Sequence, residues 1–433
     1  MMKKDSLKIG KFILSTLFFA IAGIQAQAQF NLSGEIRPRT EFAHGSKSLV
    51  KKGDQVGVFT TQRTRLNINY NDTLNKIKVG LVLQDIRTWG SQSQLVLADG
   101  LFSIHQAWVD WGLAKDFSLK AGRQELIYDD HRIFGSVGWA QQARSHDVAV
   151  LKYKNKLHLG AAWNQNKPSL RNSIYTIPKS YKTFQYLWYH LGDKDSSDFN
   201  ASFLVLNNGK PINKLDTAGK ITEQSIEFSQ TVGGRFIYKA SKKLKLSSNL
   251  YYQMGLDGDK NSLSAYLVNL DLTYKVTNSF TLRGGFERQS GNDGVKQTAK
   301  TNNAFTPFYG TNHKFNGWMD YFYVGNHVGS VGLQDNYIYG THKLSKKAKF
   351  IWAFHNFSSA NTIEKAPGVA ASSQALGNEI DLVLAKKVNK AVTFKIGYSH
   401  LFADKGLELL KGGDKSKIQN WAWVMLVFKP KFI

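Results

Sequence analysis

The chain is 433 residues long, has a formal net charge of +25 and contains no cysteine, which excludes a lipoprotein anchor and a disulfide framework. Aromatic residues make up 13% of it, yet no stretch approaches the ~18 to 20 continuous apolar residues of a membrane-spanning helix. Aromatic richness with weak average hydropathy leaves one route across a bilayer, an amphipathic β-barrel with interfacial aromatic girdles.

Taken in chain order, Lys3, Lys4, Lys8 and Lys11 precede an apolar run from Phe12 to Ile24, and Ala26-Gln27-Ala28 follows. A basic start, a short apolar region and a small-x-small site predict a secretory signal peptide over residues 1–28. The barrel is then expected over residues 29–433, with net charge +22 once the four Lys and one Asp of the leader are removed. Lys-rich segments of such a chain can meet the anionic headgroups of the outer membrane and its lipopolysaccharide.

From Phe30 to Phe42 the odd positions carry Asn31, Ser33, Glu35, Arg37, Arg39 and Glu41, while Phe30, Leu32, Ile36 and Phe42 share the other face. Successive side chains of a strand point to opposite sides. An apolar face toward lipid and a charged face toward a lumen is therefore the expected arrangement. Thr61–Tyr70 repeats the pattern, with Arg63 and Arg65 opposite Leu66, Ile68 and Tyr70. So do Lys243–Met254, Asn261–Lys275 and Phe280–Gln289, the last placing Arg283 and Glu287 opposite Phe280, Leu282 and Phe286. Between Ile77 and Thr88 the apolar phase runs into Asp85 and Arg87, so either a bulge resets it or the strand end has left the membrane.

Short turns fall near 71–75, 114–116, 154–155, 192–197, 240–242, 276–279, 345–347 and 389–390. Longer connections fall near 43–59, 89–100, 126–143, 165–181, 207–222, 256–261, 290–332, 359–376 and 403–417. Eight short turns alternating with nine longer loops predict a single 18-stranded antiparallel transmembrane barrel, with the short turns on the periplasmic side. A TonB-dependent transporter, with ~22 strands and a plugged lumen, does not fit in the 405 residues left after the leader. Segments 126–143 and 290–332 are long enough to be expected to fold inward and narrow the lumen.

Inward arginines and lysines would select anions, and interleaved acids would keep a polyanion from sticking. Lys78, Arg235, Lys245, Lys275 and Lys395 join the basic set, and Glu35, Glu41, Asp271, Glu379 and Asp381 the acidic one. Asp257-Gly258-Asp259-Lys260-Asn261 lacks the downstream Glu of a calcium loop and reads as a turn. Asp129-Asp130-His131 with His146 reads as loop charge rather than a metal site, and no cofactor is expected. The absence of a Gly-x-Ser-x-Gly motif leaves an outer-membrane hydrolase as a minor alternative.

The segment Gly122-Arg123-Gln124-Glu125-Leu126-Ile127-Tyr128-Asp129-Asp130-His131-Arg132-Ile133-Phe134-Gly135 resembles the Gly-Arg-Gln signature of the alginate export porin family. Agreement continues at Trp139, at Arg144-Ser145-His146-Asp147, at Gly34-Glu35-Ile36-Arg37-Pro38-Arg39 and at Asn312-His313-Lys314-Phe315-Asn316-Gly317. The resemblance implies an 18-stranded outer-membrane barrel, a monomer, with an Arg-lined constriction that passes a polyuronate outward. By local pattern Arg37, Arg39, Arg123, Arg132, Arg144 and Asp147 carry over to that constriction. With Arg63, Arg65, Arg283 and Glu287 from the strand alternation, they form the expected substrate-binding set. Two features depart from it: 45 Lys stand against 12 Arg, and Val150 occupies an expected polar position. The expected cargo is an anionic polysaccharide or oligosaccharide, with a small-anion or general porin as the alternative. A periplasmic helper would be encoded elsewhere, and no nucleic-acid partner is expected.

Overall fold

A computed structural model describes residues 28–433 apart from 95–99, 179, 194–195, 298–299 and 323–330. The expected signal peptide, except for Ala28, lies outside the described residues. Eighteen principal strands follow in antiparallel order. The first six are β1 (Ala28–His44), β2 (Gly57–Asp72), β3 (Ile77–Thr88), β4 (Phe102–Ala114), β5 (Phe117–Gln124) and β6 (His146–Tyr153). Next come β7 (Leu157–Trp163), β8 (Thr183–Leu191), β9 (Phe199–Leu215), β10 (Ile221–Lys239), β11 (Leu244–Leu256) and β12 (Ser262–Lys275). The last six are β13 (Phe280–Gln289), β14 (Leu333–Lys343), β15 (Ala348–Ser358), β16 (Ala375–Lys387), β17 (Val392–Ala403) and β18 (Gln419–Phe428).

Each strand pairs with its sequence neighbours, and β1 closes the barrel on β18 from Ile36↔Phe428 to His44↔Asn420. The tail after β18 continues that seam, with the Gly34 amide donating to Pro430 O and the Phe432 amide to Leu32 O, both at 2.9 Å. Closure removes the edges that would leave backbone groups unpaired in lipid. The connection before β18 carries one short helix, α1 (Lys405–Lys411).

Burial follows the barrel sense of the alternation. On β1, Phe30, Ile36 and Phe42 are exposed on the outer surface while Glu35, Arg37, Arg39 and Glu41 are buried inside. On β12, Tyr266, Leu270, Leu272 and Tyr274 face out, and Ala265, Leu267 and Asn269 are buried within.

Two details refine the sequence reading. No register shift separates β2 from β3, so Asp85 and Arg87 share the outward face, where they pair at 2.6 Å. They belong to the end of β3 that precedes a long connection, beyond the apolar part of its outer face. The irregularity lies instead between β3 and β4, at Val82/Leu83, and takes up the extra residue His105. The second difference concerns 207–222, expected to be a long loop. There β9 and β10 continue pairing out to Leu215↔Ile221, leaving only residues 216–220 between them. Past the membrane both faces of a hairpin meet water, so the polar composition that signals a loop does not prevent pairing.

The apolar core lies inside the barrel. Segment 125–145 folds in and joins Leu126, Ile133 and Phe134 to Phe184, Tyr186, Leu204, Leu206, Leu267 and Phe305. A second cluster gathers Met319, Tyr321 and Phe322 with Leu333, Phe357, Leu376, Leu401, Leu407, Trp421 and Trp423. Val150, at an expected polar position, is 1% exposed in the first cluster, so an inward segment covers that stretch of wall.

Candidate functional site

The lumen is organised by the two inward segments. The first begins at the Gly-Arg-Gln motif, where Gly122 adopts φ +114 and a Cβ would collide with the Ala107 carbonyl oxygen. Only glycine holds this backbone against β4. The segment then meets a wall of arginines from β1 and β2. Arg37 donates through Nη1 to Gly138 O at 2.7 Å, through Nη2 to Trp139 O and Ala140 O, and through Nε to Gln141 Oε1 at 3.0 Å. Arg39 donates to Trp139 O at 2.9 Å and to Glu41 at 2.8 Å, and its guanidinium lies 4.2 Å from the Trp139 ring centroid. Arg63 holds Glu35 at 2.5 Å. A guanidinium offers five donors in a fixed fork and no acceptor, which suits it to a row of carbonyl oxygens.

The far end of the same segment crosses the lumen. Arg132 pairs with Glu287 on β13 and lies 3.5 Å from the Phe315 ring centroid. Asp130 pairs with Arg235 on β10 and accepts from Asn249 Nδ2 at 2.9 Å. Burial alone would raise the Asp130 carboxyl, but Arg235 and Arg132 overcome this and hold it below the usual carboxylate range.

An acidic wall faces the second segment. Glu379 on β16 accepts the amides of Trp318 at 2.5 Å and Met319 at 2.9 Å. Gly317 permits this approach, since its φ is +79 and a Cβ there would lie 2.6 Å from Glu379 Oε2. Asn316 donates to Glu287 and Asp335, both at 3.2 Å. His355 bridges the wall, with Nδ1 2.9 Å from Asp335 and Nε2 4.0 Å from Asp381. The two segments also bind each other. Gly135 N donates to Tyr309 O and Thr311 N to His131 O, both at 2.9 Å, while Phe134 stacks on Tyr309 and Trp139 on His313.

Open space remains at both ends. An outer cavity of about 720 Å³ is lined by Arg39, Phe59, Thr61, Trp318 and Asp320 among others. At the short-turn end a cavity of about 580 Å³ is lined by Lys76, Lys78, Lys152, Asp110 and Asp116. Arg65 lies along the same wall, donating to Gln84 at 2.7 Å, and its Nη2 is buried with no hydrogen-bond partner among the described residues.

Of the expected site residues, Arg37, Arg39, Arg63, Arg65, Arg283 and Glu287 are on the inward face. Arg132 enters the lumen on the first segment, and Arg144 ties the two segments through Gly310 O at 3.2 Å. Arg123 and Asp147 are a correction. They are paired across β5 and β6 at 2.8 Å on the outward face, with side chains 43% and 59% exposed. The motif glycine and the inward Gln124 set the phase, and Arg123, one residue earlier than Gln124, must point the other way. Asp257 behaves as a turn residue, its carboxylate accepting the amides of Asp259 and Asn261 and the side chains of Asn261 and Asn302. Asp129 accepts from Trp188 Nε1 and Ser202 Oγ, and no metal-binding group is present among the described residues. Sequence reasoning missed Gln141 and His355, whose roles arise from long-range contacts that no local pattern marks, and it marked Asn316 only as part of the resembling stretch 312–317.

A family model described as Alginate export matches residues 28–407. Among solved structures, this chain resembles Pseudomonas aeruginosa OccK11 (OpdR) at 11% identity and TM-score 0.58, covering 94% of this chain and 96% of that one. It resembles Acinetobacter baumannii OccAB4 at 11% identity and TM-score 0.60, covering 95% and 100%. The outer membrane protein OprD of P. aeruginosa is similar at 12% identity and TM-score 0.56, covering 93% and 94%. No curated protein matches. At these identities the structural likeness establishes the fold, and the family match extends over most of the chain.

Proposed function

The chain belongs to the alginate export family and is an outer-membrane barrel of the porin type, and from that premise we propose that it conducts anionic polysaccharide or its oligosaccharides through an electropositive water path. One observation carries this reading, the unequal exposure of the two charge signs. Glu287, Asp335, Glu379 and Asp381 are 0 to 1% exposed and sealed beneath the inward segments. The Arg283 side chain is 36% exposed against 8% for its partner Asp271, and Lys78 is exposed at the short-turn end. A charge that water can reach acts on a passing ion, whereas a buried, hydrogen-bonded one is spent on its neighbours. Arg65, Arg283, Lys78, Lys120, Lys245 and Lys395 are the residues assigned to that path. Arg37, Arg39, Arg63 and Arg132 are assigned to holding the inward segments.

The extent of filling favours a second reading. With two segments packed into the lumen and joined to each other, small anions pass more readily than a polymer unless a segment moves. Polyuronate added to one side of a planar bilayer separates the two. Concentration-dependent block supports the polymer or oligomer conduit, and a steady anion current untouched by polyuronate supports the small-anion porin. Neither reading involves catalysis. The remaining assignments are an export leader over residues 1–28, a monomeric barrel, and a periplasmic helper that presents cargo to the lysine-lined end.

A further inference from the structure

The outer cavity contains a feature that charge selection does not require. Phe59 occupies an inward position on β2, in register with Glu41, on a face otherwise carrying Thr61, Arg63, Arg65, Asn67 and Asn69. It remains 39% exposed and lines the cavity of about 720 Å³ instead of joining the apolar cluster packed beside it. Lipid cannot reach an inward face, so this ring meets water at a hydrophobic cost that a purely ionic channel would avoid. Trp318 borders the same cavity at the rim of that cluster. Around the two rings stand Arg39, Lys47 and the His313–Asp320 pair at 2.8 Å. Aromatic faces beside a few convergent polar groups make a pocket suited to a flat ligand with one apolar and one polar side. A pyranose ring is such a ligand, with C–H groups on its face and hydroxyls at its edge.

We propose that the outer cavity is a carbohydrate-binding site, in which a hexuronate ring lies on Phe59 with Trp318 flanking it and turns its carboxylate toward Lys47. The site rests on the reading of an acidic-sugar conduit and gives that cargo a position at the outer end of the path. Aromatic contact would hold each sugar weakly enough for release.

The test is single-channel block by oligomannuronate and by a neutral malto-oligosaccharide, measured on the full barrel and on Phe59→Ala and Phe59→Trp variants. Phe59→Ala is expected to weaken block by both sugars about threefold to tenfold, the range of a lost aromatic contact. Phe59→Trp should retain it, and the reversal potential should stay unchanged because no charge is altered. Equal block of wild type and Phe59→Ala by both sugars overturns the proposal. Should Phe59→Ala fail to assemble, Trp318→Ala carries the same expectation and the same refutation. Failure of the conduit reading shows separately, as a cation-selective reversal potential in the wild type.

Discussion

The arginine wall of β1 and β2 and the acidic wall of β13 to β16 line one lumen and hold the inward segments by opposite chemistry. Arg37 and Arg39 grip carbonyl oxygens of residues 138–140, so the first segment is held by its acceptors. Glu379 grips the amides of 318 and 319, so the second is held by its donors. Each wall supplies what a turning backbone leaves unpaired, since buried carbonyls and amides must find partners. The comparison teaches that an inward charge is not thereby a charge offered to cargo. Arg37 and Glu379 are both structural clamps, and selectivity falls to the charges that neither segment covers.

Glu287→Ala should have the largest effect on this balance. It strips buried Arg132 of its nearer carboxylate, leaving Asp130 at 3.8 Å, and a broken buried pair costs about 3 to 5 kcal/mol. The first segment should loosen, seen as raised single-channel conductance and protease cleavage within 125–145. Arg37→Ala comes next, because several donations to one segment are lost together. About 1.5 to 3 kcal/mol is expected for such charged hydrogen bonds, with a smaller rise in conductance. If Arg37→Ala leaves conductance unchanged while lowering anion preference, the division between clamp and path is wrong at that residue.

Arg65→Ser sharpens the comparison from the other side. One charge about 4 Å from a passing ion in water is worth ~1 kcal/mol, so anion preference should fall about fivefold with the barrel intact. Arg63→Ser should alter selectivity less than Arg65→Ser, because Arg63 is held by Glu35 at 2.5 Å whereas Arg65 stands 3.8 Å from its carboxylate partner Glu125. Arg123→Ala should do least. An exposed outward pair contributes ~1 kcal/mol at most, and neither conductance nor selectivity should change.

The alternation of Glu35, Arg37, Arg39 and Glu41 against Phe30, Ile36 and Phe42 was enough to set the inside and outside of β1, because a period of two leaves only one way to place charge away from lipid. The strand number was legible from the turns for the same reason, and the inward folding of 126–143 and of the described part of 290–332 from their length. What those segments do once inside was not legible. Trp139 and His313 stand far apart in sequence and stack, and no periodicity relates them. Arg123 shows the opposite error. A motif suggested its role, while its phase within β5, read against Gln124, already pointed it outward.

Reversal potential across a planar bilayer under a salt gradient tests the central claim most directly, because it reads the charge that water-borne ions meet. The account predicts anion selectivity in the wild type, reduced by Arg65→Ser and untouched by Arg123→Ala. A cation-selective channel would contradict it, since the buried carboxylates of the acidic wall would then be the charges that passing ions meet.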